Sequence, residues 1–531
     1  MPPRRLLDPI WVLHDGERLP AERGEPLALA LLAAGKRTLA RSPKLHRPRG
    51  PSCLSGSCDG CLCRVNGEPN VMTCLTPAQD GDRIETQNSL GSRTLDPLQL
   101  TDYVFPQGFD HHRLFAGVPL LGAAFPKGAR QLSGIGELTA PLPEQGSVPS
   151  HRAHEVHRPD VLIVGAGEAG ARAALELRRR APELALMWVD RALSAGGRLA
   201  LSQPSAWSAL QGALGAVGIT TDAGAAALDA GKIHARKAHA DATAVQRPPT
   251  ALELASTVIG LYPNPEDRLP GVAGVPIALL ARRALNGAPS GASVVAPRAI
   301  VLAVGHHPPV HLFGNNDLPG VYTARAALLA RRAGVLVGQR LALVGGGEEL
   351  EALIEAGGFA VAARLSLSEL QSAVGALEVR GVSFQRGEAL ETVGCDAVVV
   401  GGQGAPAFEL AMQAGLAVRY DEERGAFVVE GAQGEDGSGA PRGAAEQRLE
   451  GDLDEARGAA EQRLESDCVD DRMTDVSTNP QNPNPKSPMA REGRREASAP
   501  RGSRAEHSVL VAHRETAVSV TDCVLRCLAQ S

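Results

Sequence analysis

The sequence predicts a chain of mixed α/β and α+β class: a small β-grasp unit, then two strand–glycine turn–helix nucleotide folds, then a low-complexity region. Three observations carry this. The stretch "RGPSCLSGSCDGCLCRVNGEPNVMTC" (49–74) holds five of the nine cysteines. "DVLIVGAGEAGARAALELRRR" (160–180) runs an apolar strand into G-x-G-x-x-G and a helix. "RLALVGGGEELEALIEAGG" (340–358) repeats that pattern in part.

Length and composition fit several ordinary domains. At 531 residues and roughly 100–200 residues per domain, about three units are expected. A hydrophobic share of 43% and a charged share of 21% are those of a soluble globular protein. The net charge of −6 gives no general attraction for nucleic acid or an anionic membrane. Asp8 and Pro9 interrupt "MPPRRLLDPIWVLHDG" before an apolar region can form, so it is a poor secretory signal. "LALALLAAG" (27–35) falls short of the ~20 residues that span a bilayer. No membrane span, no nucleic-acid partner and a cytoplasmic location are expected.

That compartment is reducing, so clustered cysteines there point to metal or catalysis before disulfides, and their odd total argues against a fully paired framework. Cys53, Cys58, Cys61 and Cys74 give C-x4-C-x2-C-x12-C, with Cys63 left over. Structural zinc sites usually combine two C-x2-C pairs, and only one stands here. Three thiolates on one glycine-rich loop plus a fourth from the next strand is the plant-type arrangement for a 2Fe-2S cluster. Gly56 and Gly60 can take positive φ and turn backbone N–H groups toward the sulfides. Cys63, two residues past Cys61 on a strand, either points with Cys61 or is a bystander.

The flanks supply the rest of the β-grasp unit. "IWVLHDGERLPA" alternates about the turn Asp15-Gly16, a hairpin signal. "EPLALALLAAG" follows as a short apolar helix closed by Gly35. Hairpin, helix and cluster loop stand in ferredoxin order. "LARSPKLHRPRGPSC", the cysteine spacing and "NGEPNVMTC" together resemble the amino-terminal domain of the sarcosine oxidase alpha-subunit family and its small ferredoxin-like relatives, which include amino-acid dehydrogenase and hydrogen cyanide synthase components. The short last gap also resembles the iron–sulfur subunit of succinate dehydrogenase. The resemblance implies a 2Fe-2S cluster on Cys53, Cys58, Cys61 and Cys74.

In the first nucleotide fold, Gly165 makes the tight turn, Gly167 admits the pyrophosphate and Gly170 lets helix and strand pack. The next strand ends at Asp190, placed to hold ribose hydroxyls. "AGGRL" follows; its Gly196, Gly197 and Arg198 resemble the second phosphate-contacting turn of two-dinucleotide-binding flavoproteins, which tips the cofactor toward FAD. "AIVLAVGHHPPV" resembles the Ala-Thr-Gly strand end of that family, keeping Gly305, with Val304 where threonine is usual. His306 and His307 at this turn read as hydrogen-bonded filler rather than catalysts, because neither has a partner visible in sequence. "NNDLPGVYTA" resembles the family's lead into an inserted nucleotide domain. "ASTVIGLYPNPEDRLPG" resembles its meander beneath the flavin domain.

In that insertion Gly345 and Gly347 satisfy the first two glycine positions, and Leu350 replaces the third. "FAVAARLSLSEL" has no acid for a ribose 2′-hydroxyl, although Arg364 could favour a 2′-phosphate. NAD(P) binding and a fold kept for packing both stay open. "CDAVVVGGQGAPAFELAMQAG" resembles the family's closing strand and helix.

The family's pattern then breaks. The resemblance implies a last strand ending in Gly-Asp that reaches the flavin, and no such strand is found by sequence. Instead come the near-copies "RGAAEQRLEGDLDEA" and "RGAAEQRLES", a charged pair too short for a solenoid, and an Asn/Pro/Ser/Arg tract expected to be disordered. "HSVLVAHRETAVSVTDCVLRCLAQS" regains strand and helix character only at the end, and its Cys523 and Cys527 read as bystanders. The expected organisation is 8–100 for the β-grasp domain, 101–157 connecting, 158–335 for FAD, 336–430 for the NAD(P)-like insertion, 431–506 low complexity and 507–531 a short carboxy-terminal segment.

A flavin taking electron pairs beside a cluster carrying single electrons suits electron splitting. The resemblance implies an electron-handling subunit of an amine or amino-acid dehydrogenase or oxidase, of sarcosine, proline or glycine type. It also implies a partner subunit with its own flavin. Two other readings are an NAD(P)H-dependent ferredoxin-type reductase and a non-catalytic redox-sensing or scaffold protein with a degenerate flavin site. No catalytic residue stands out.

Overall fold

The computed structural model describes residues 4–43, 45–89, 96–104, 156–221, 250–262, 277–283, 291–309, 311–422, 425–429, 508–511, 521 and 524–525. Most of the connecting stretch, the paired repeats, the Asn/Pro/Ser/Arg tract and the pair Cys523/Cys527 lie outside these residues.

The amino-terminal lobe starts from a hairpin. Pro9–His14 and Glu17–Glu22 pair antiparallel about Asp15 and Gly16, both at positive φ (49° and 83°), the geometry that matches strand twist in a two-residue turn. The helix Leu27–Ala33 buries six consecutive side chains, Leu27 through Leu32. Gly35, at φ 74°, stops it: its N–H reaches the Leu32 carbonyl and that of Lys36 reaches Leu31, a Schellman closure. Arg83–Thr86 then pairs in parallel with the first hairpin strand and antiparallel with Leu62–Val65. With Glu68–Met72 this makes a five-stranded mixed sheet across the helix.

The first nucleotide fold is a parallel sheet. Ala251–Glu253, Leu186–Val189, Val161–Val164 and Ala299–Leu302 lie side by side in that order, every pair parallel. Their near-continuous burial is what helices and loops on both faces require. A strand from the carboxy-terminal segment completes the sheet edge, although Ala512-His513 follows it in sequence and not Gly-Asp. Ser508–Val511 pairs in parallel with Ala299–Leu302, from Ala299 opposite Ser508 to Leu302 opposite Val511, and Val524 is fully buried in the same core. An antiparallel meander, Ser256–Tyr262, Ile277–Arg282 and Gly291–Val295, packs beside it.

The second nucleotide fold carries the parallel strands Val321–Thr323, Ala397–Val400, Arg340–Val344 and Ala360–Leu365 in that spatial order. A three-stranded antiparallel sheet (Leu370–Val374, Gly381–Arg386, Ala389–Gly394) lies on it. One hydrophobic core joins this fold to the amino-terminal lobe: Leu27, Leu31 and Ile84 belong to the same cluster as Tyr322, Leu328, Leu343 and Val399. Each buried leucine or isoleucine contributes about 1.5–3 kcal/mol, so the cysteine-bearing lobe is held against this fold. Among the described residues no helix is long and apolar enough to cross a membrane.

Candidate functional site

The cysteine loop is packed backbone to backbone. A Cβ on Gly60 would stand 2.0 Å from the Gly50 carbonyl oxygen, and one on Gly50 would stand 2.3 Å from that of Arg37. Close approach, and not the positive φ expected from sequence, is therefore what Gly60 supplies. Gly56 does take positive φ (72°), as does Leu54 (47°).

The four predicted sulfurs come together as two touching pairs. Cys58 hydrogen-bonds the sulfur of Cys53, and Cys74 that of Cys61. Accepting those bonds holds the Cys53 and Cys61 thiols below their ordinary range, while donating them, with burial, pushes Cys58 and Cys74 up. Backbone N–H groups converge on the same atoms: Ser55 and Ser57 donate to Cys53 Sγ at 3.4 and 3.2 Å. Cys63 turns away; its thiol donates to the Leu39 carbonyl at 3.4 Å, and burial pushes it well above its ordinary value.

This donor set fits a 2Fe-2S cluster. Each iron of such a cluster takes two protein thiolates, so two pairs are required rather than four ligands about one ion. The N–H groups aimed at sulfur are the contacts that tune such a centre.

The first glycine turn lies where strand order reverses, the crevice that holds nucleotides in this architecture. A Cβ on Gly165 would meet the Ala303 carbonyl oxygen at 2.1 Å, and one on Gly170 would meet that of Gly165 at 1.9 Å. At Gly167 a Cβ would meet nothing within 4 Å, so the fold itself does not need glycine there. Gly197 lies against it, its own added Cβ 3.2 Å from the Gly167 Cα, and Gly305 follows the neighbouring strand at φ 73°. Asp190 accepts from the Ala166 and Ala192 N–H groups at 2.5 and 2.7 Å. Burial raises its carboxyl above the usual range, opposed by those two bonds. Oδ2 thus braces the turn, and Oδ1 fixes the chain just past Asp190. Arg198 is half exposed on the next helix and pairs with Glu348 at 3.4 Å.

The second turn is built otherwise. Gly345 and Gly347 keep positive φ (76° and 110°), and Leu350 is accommodated by a glycine on another strand's end: a Cβ on Gly401 would lie 3.0 Å from Leu350 Cβ. The helix that follows opens with Glu348, Glu349 and Glu351. Glu348 accepts from Ser202 and Gln203 at 2.6 and 2.8 Å, and Glu349 pairs with Arg325 at 2.6 Å. Three carboxylates occupy the helix end where phosphate charge would be stabilised. The "GGGEELE" run carried that signal in sequence.

The cluster loop touches the nucleotide folds directly. Thr323 N–H donates to the Ser52 carbonyl at 3.0 Å, and Arg49 pairs with Asp317. Ser57 Oγ lies 3.4 Å from His307 Nδ1, and His307 Nε2 lies 2.6 Å from Glu409. That carboxylate, 102 positions along the chain, is the partner sequence reading misses.

Residues 8–89 match the family of 2Fe-2S iron–sulfur cluster binding domains. Sarcosine oxidase subunit alpha of Corynebacterium sp. (strain P-1) is 29% identical over 319 residues, covering 59% of this chain and 25% of that protein. The same subunit from strain U-96 is 25% identical over 394 residues, 72% and 33% of the two chains. That of Rhizobium meliloti is 28% identical over 209 residues, 38% and 20%. The chain thus spans at most about a third of these relatives' length. The crystal structure of L-proline dehydrogenase from P. horikoshii superposes with TM-score 0.50 at 19% identity, over 80% of this chain and 65% of that one. At this identity the likeness is one of fold.

Proposed function

We propose that this chain is an iron–sulfur flavoprotein oxidoreductase, the electron-handling subunit of an amine or amino-acid dehydrogenase or oxidase. The observation that carries it is the seating of the four-cysteine loop, through Ser52 and Ser57, on the strand ends of both nucleotide folds. Cys53 and Cys58 would hold one iron, Cys61 and Cys74 the other. Gly165, Gly167, Gly197 and Gly305 would line the FAD pyrophosphate and ribityl path, with Asp190 fixing the turn. When bound, the flavin exchanges electron pairs and the cluster single electrons. The loop's burial, with Cys53, Cys61 and Cys74 at most 2% exposed, keeps water from those sulfurs.

The resemblance to sarcosine oxidase alpha subunits supports an amine donor and a second flavoprotein subunit where C–H cleavage occurs. The carboxylates at the second glycine turn count against NAD(P), and so against the NAD(P)H-reductase reading. The returning strand Ser508–Val511 restores the sheet neighbour whose loss motivated the non-catalytic reading, without the Gly-Asp anchor. The test is the visible spectrum of anaerobically purified protein before and after adding NADH, NADPH, sarcosine, proline or glycine with the partner subunit. Flavin bands with cluster shoulders, bleached by an amine and not by a nicotinamide, are expected. A cluster spectrum without stoichiometric flavin overturns the proposal.

A further inference from the structure

One file of side chains holds the cysteine loop from outside its own lobe. Ser57 N–H donates to Cys53 Sγ at 3.2 Å, while its hydroxyl faces His307 Nδ1 at 3.4 Å. His307 is fixed in turn: its backbone N–H donates to the Ala405 carbonyl at 2.8 Å and its Nε2 meets the Glu409 carboxylate at 2.6 Å. A carboxylate can only accept, so Nε2 donates to it, and the ring is turned with Nδ1 toward the Ser57 hydroxyl. Ser57 is thereby clamped at both ends, by a ligand sulfur and by a ring that belongs to the nucleotide fold. Glu409 begins the helix Glu409–Gln413, and His307 lies two residues past Gly305, so the His307–Glu409 pair comes from outside the loop it holds.

We propose that His307, oriented by Glu409, is a positioning residue that sets the reduction potential of the cluster by fixing the Ser57 N–H on Cys53 Sγ. The inference rests on the cluster assignment made above. A reduced cluster carries one more negative charge than the oxidised one, and a donor held on a ligand sulfur stabilises that charge. Freed from His307, the Ser57 peptide can rotate and the N–H···S bond weakens, which favours the oxidised state. Glutamine, with an amide donor and acceptor at similar reach, can replace both ring contacts.

The experiment is potentiometric titration of the full chain, purified without air and followed by electron paramagnetic resonance, with iron and acid-labile sulfide assayed first. The expected result for His307→Ala is an unchanged iron content and a midpoint more negative by up to about 59 mV, a tenfold change in the one-electron equilibrium. His307→Gln is expected to recover most of the shift, and Glu409→Gln to show part of it. Should His307→Ala fail to assemble iron, Ser57→Ala reports instead, because it removes the Oγ contact while leaving the loop backbone and all four thiols. It should shift the midpoint in the same direction, and combining it with His307→Gln should add nothing beyond Ser57→Ala alone. A wild-type midpoint in both His307→Ala and Ser57→Ala overturns the proposal. Wild-type protein without iron would instead overturn the cluster assignment on which it stands.

Discussion

Asp190 Oδ2 accepts the Ala166 N–H at 2.5 Å, and the Ala166 carbonyl in turn accepts the Gly196 N–H at 2.7 Å. Ala166 thus ties the end of the strand Leu186–Val189, the first glycine turn and the Gly196-Gly197 turn together. Removing the carboxylate leaves the Ala166 and Ala192 amides without their acceptor, at a cost of about 1–3 kcal/mol per unsatisfied buried group. Asp190→Ala should therefore lower both the thermal midpoint and the flavin content. Asp190→Asn, which still offers one acceptor oxygen, should lower them less. Equal effects of the two would mean that charge, and not the Ala166 bond, is what matters here.

Two glycines of the first turn, Gly165 and Gly167, separate by what a side chain would strike. Gly165→Ala puts a Cβ 2.1 Å from a backbone oxygen, so the strand ends must part and the fold should lose stability, by about 1–3 kcal/mol for overpacking of this kind. Gly167→Val meets no protein atom at its Cβ within 4 Å and should leave the thermal midpoint of the apo form nearly unchanged while expelling FAD. Flavin-to-protein ratios and apo melting curves of the two variants decide it. Full flavin content in Gly167→Val removes this turn from the cofactor site.

The two-by-two pairing of sulfurs makes a sharp prediction for the five clustered cysteines. Cys58→Ser leaves one iron with a single protein thiolate and should abolish the cluster's visible absorption. Cys63→Ser should keep it, because that sulfur hydrogen-bonds the Leu39 carbonyl and lies off the ligand set. Iron analysis showing equal loss in both would mean the ligand assignment is wrong.

What sequence made legible and what it hid divide by chain distance. The cluster loop could be read because three of its ligands fall within nine residues, where spacing alone constrains geometry. The first glycine turn could be read because strand, turn and helix are contiguous. Leu350 at a glycine position reads as a defect until Gly401, from another strand's end, is seen to leave room for it. His307 reads as filler until Glu409 is seen beside it. Ser508–Val511 is a four-residue strand, and its place is set by pairing with Ala299–Leu302 across the sheet, which no local pattern encodes. Gly60 was read for conformation when its need is contact with Gly50.

Tyr322 tests the seam between the amino-terminal lobe and the second nucleotide fold. It is 1% exposed in their common core, and its hydroxyl has no hydrogen-bond partner among the described residues. Burial, which Arg37 opposes and Glu378 and Asp396 reinforce, pushes the phenol up to about 12. The unfolded chain loses this proton near pH 10. The tyrosine's contribution is therefore complete below about pH 10 and declines as pH rises toward 12, where the folded form holds a proton the unfolded form has released. A buried hydroxyl left unpaired costs about 1–3 kcal/mol by protein mutational data, so Tyr322→Phe should raise the thermal midpoint at neutral pH. It should also flatten the alkaline fall in stability relative to the parent protein. Melting curves at pH 7 and across pH 9–11 measure both effects. A lower midpoint for Tyr322→Phe at pH 7 would show that the hydroxyl is bonded and that the seam depends on it.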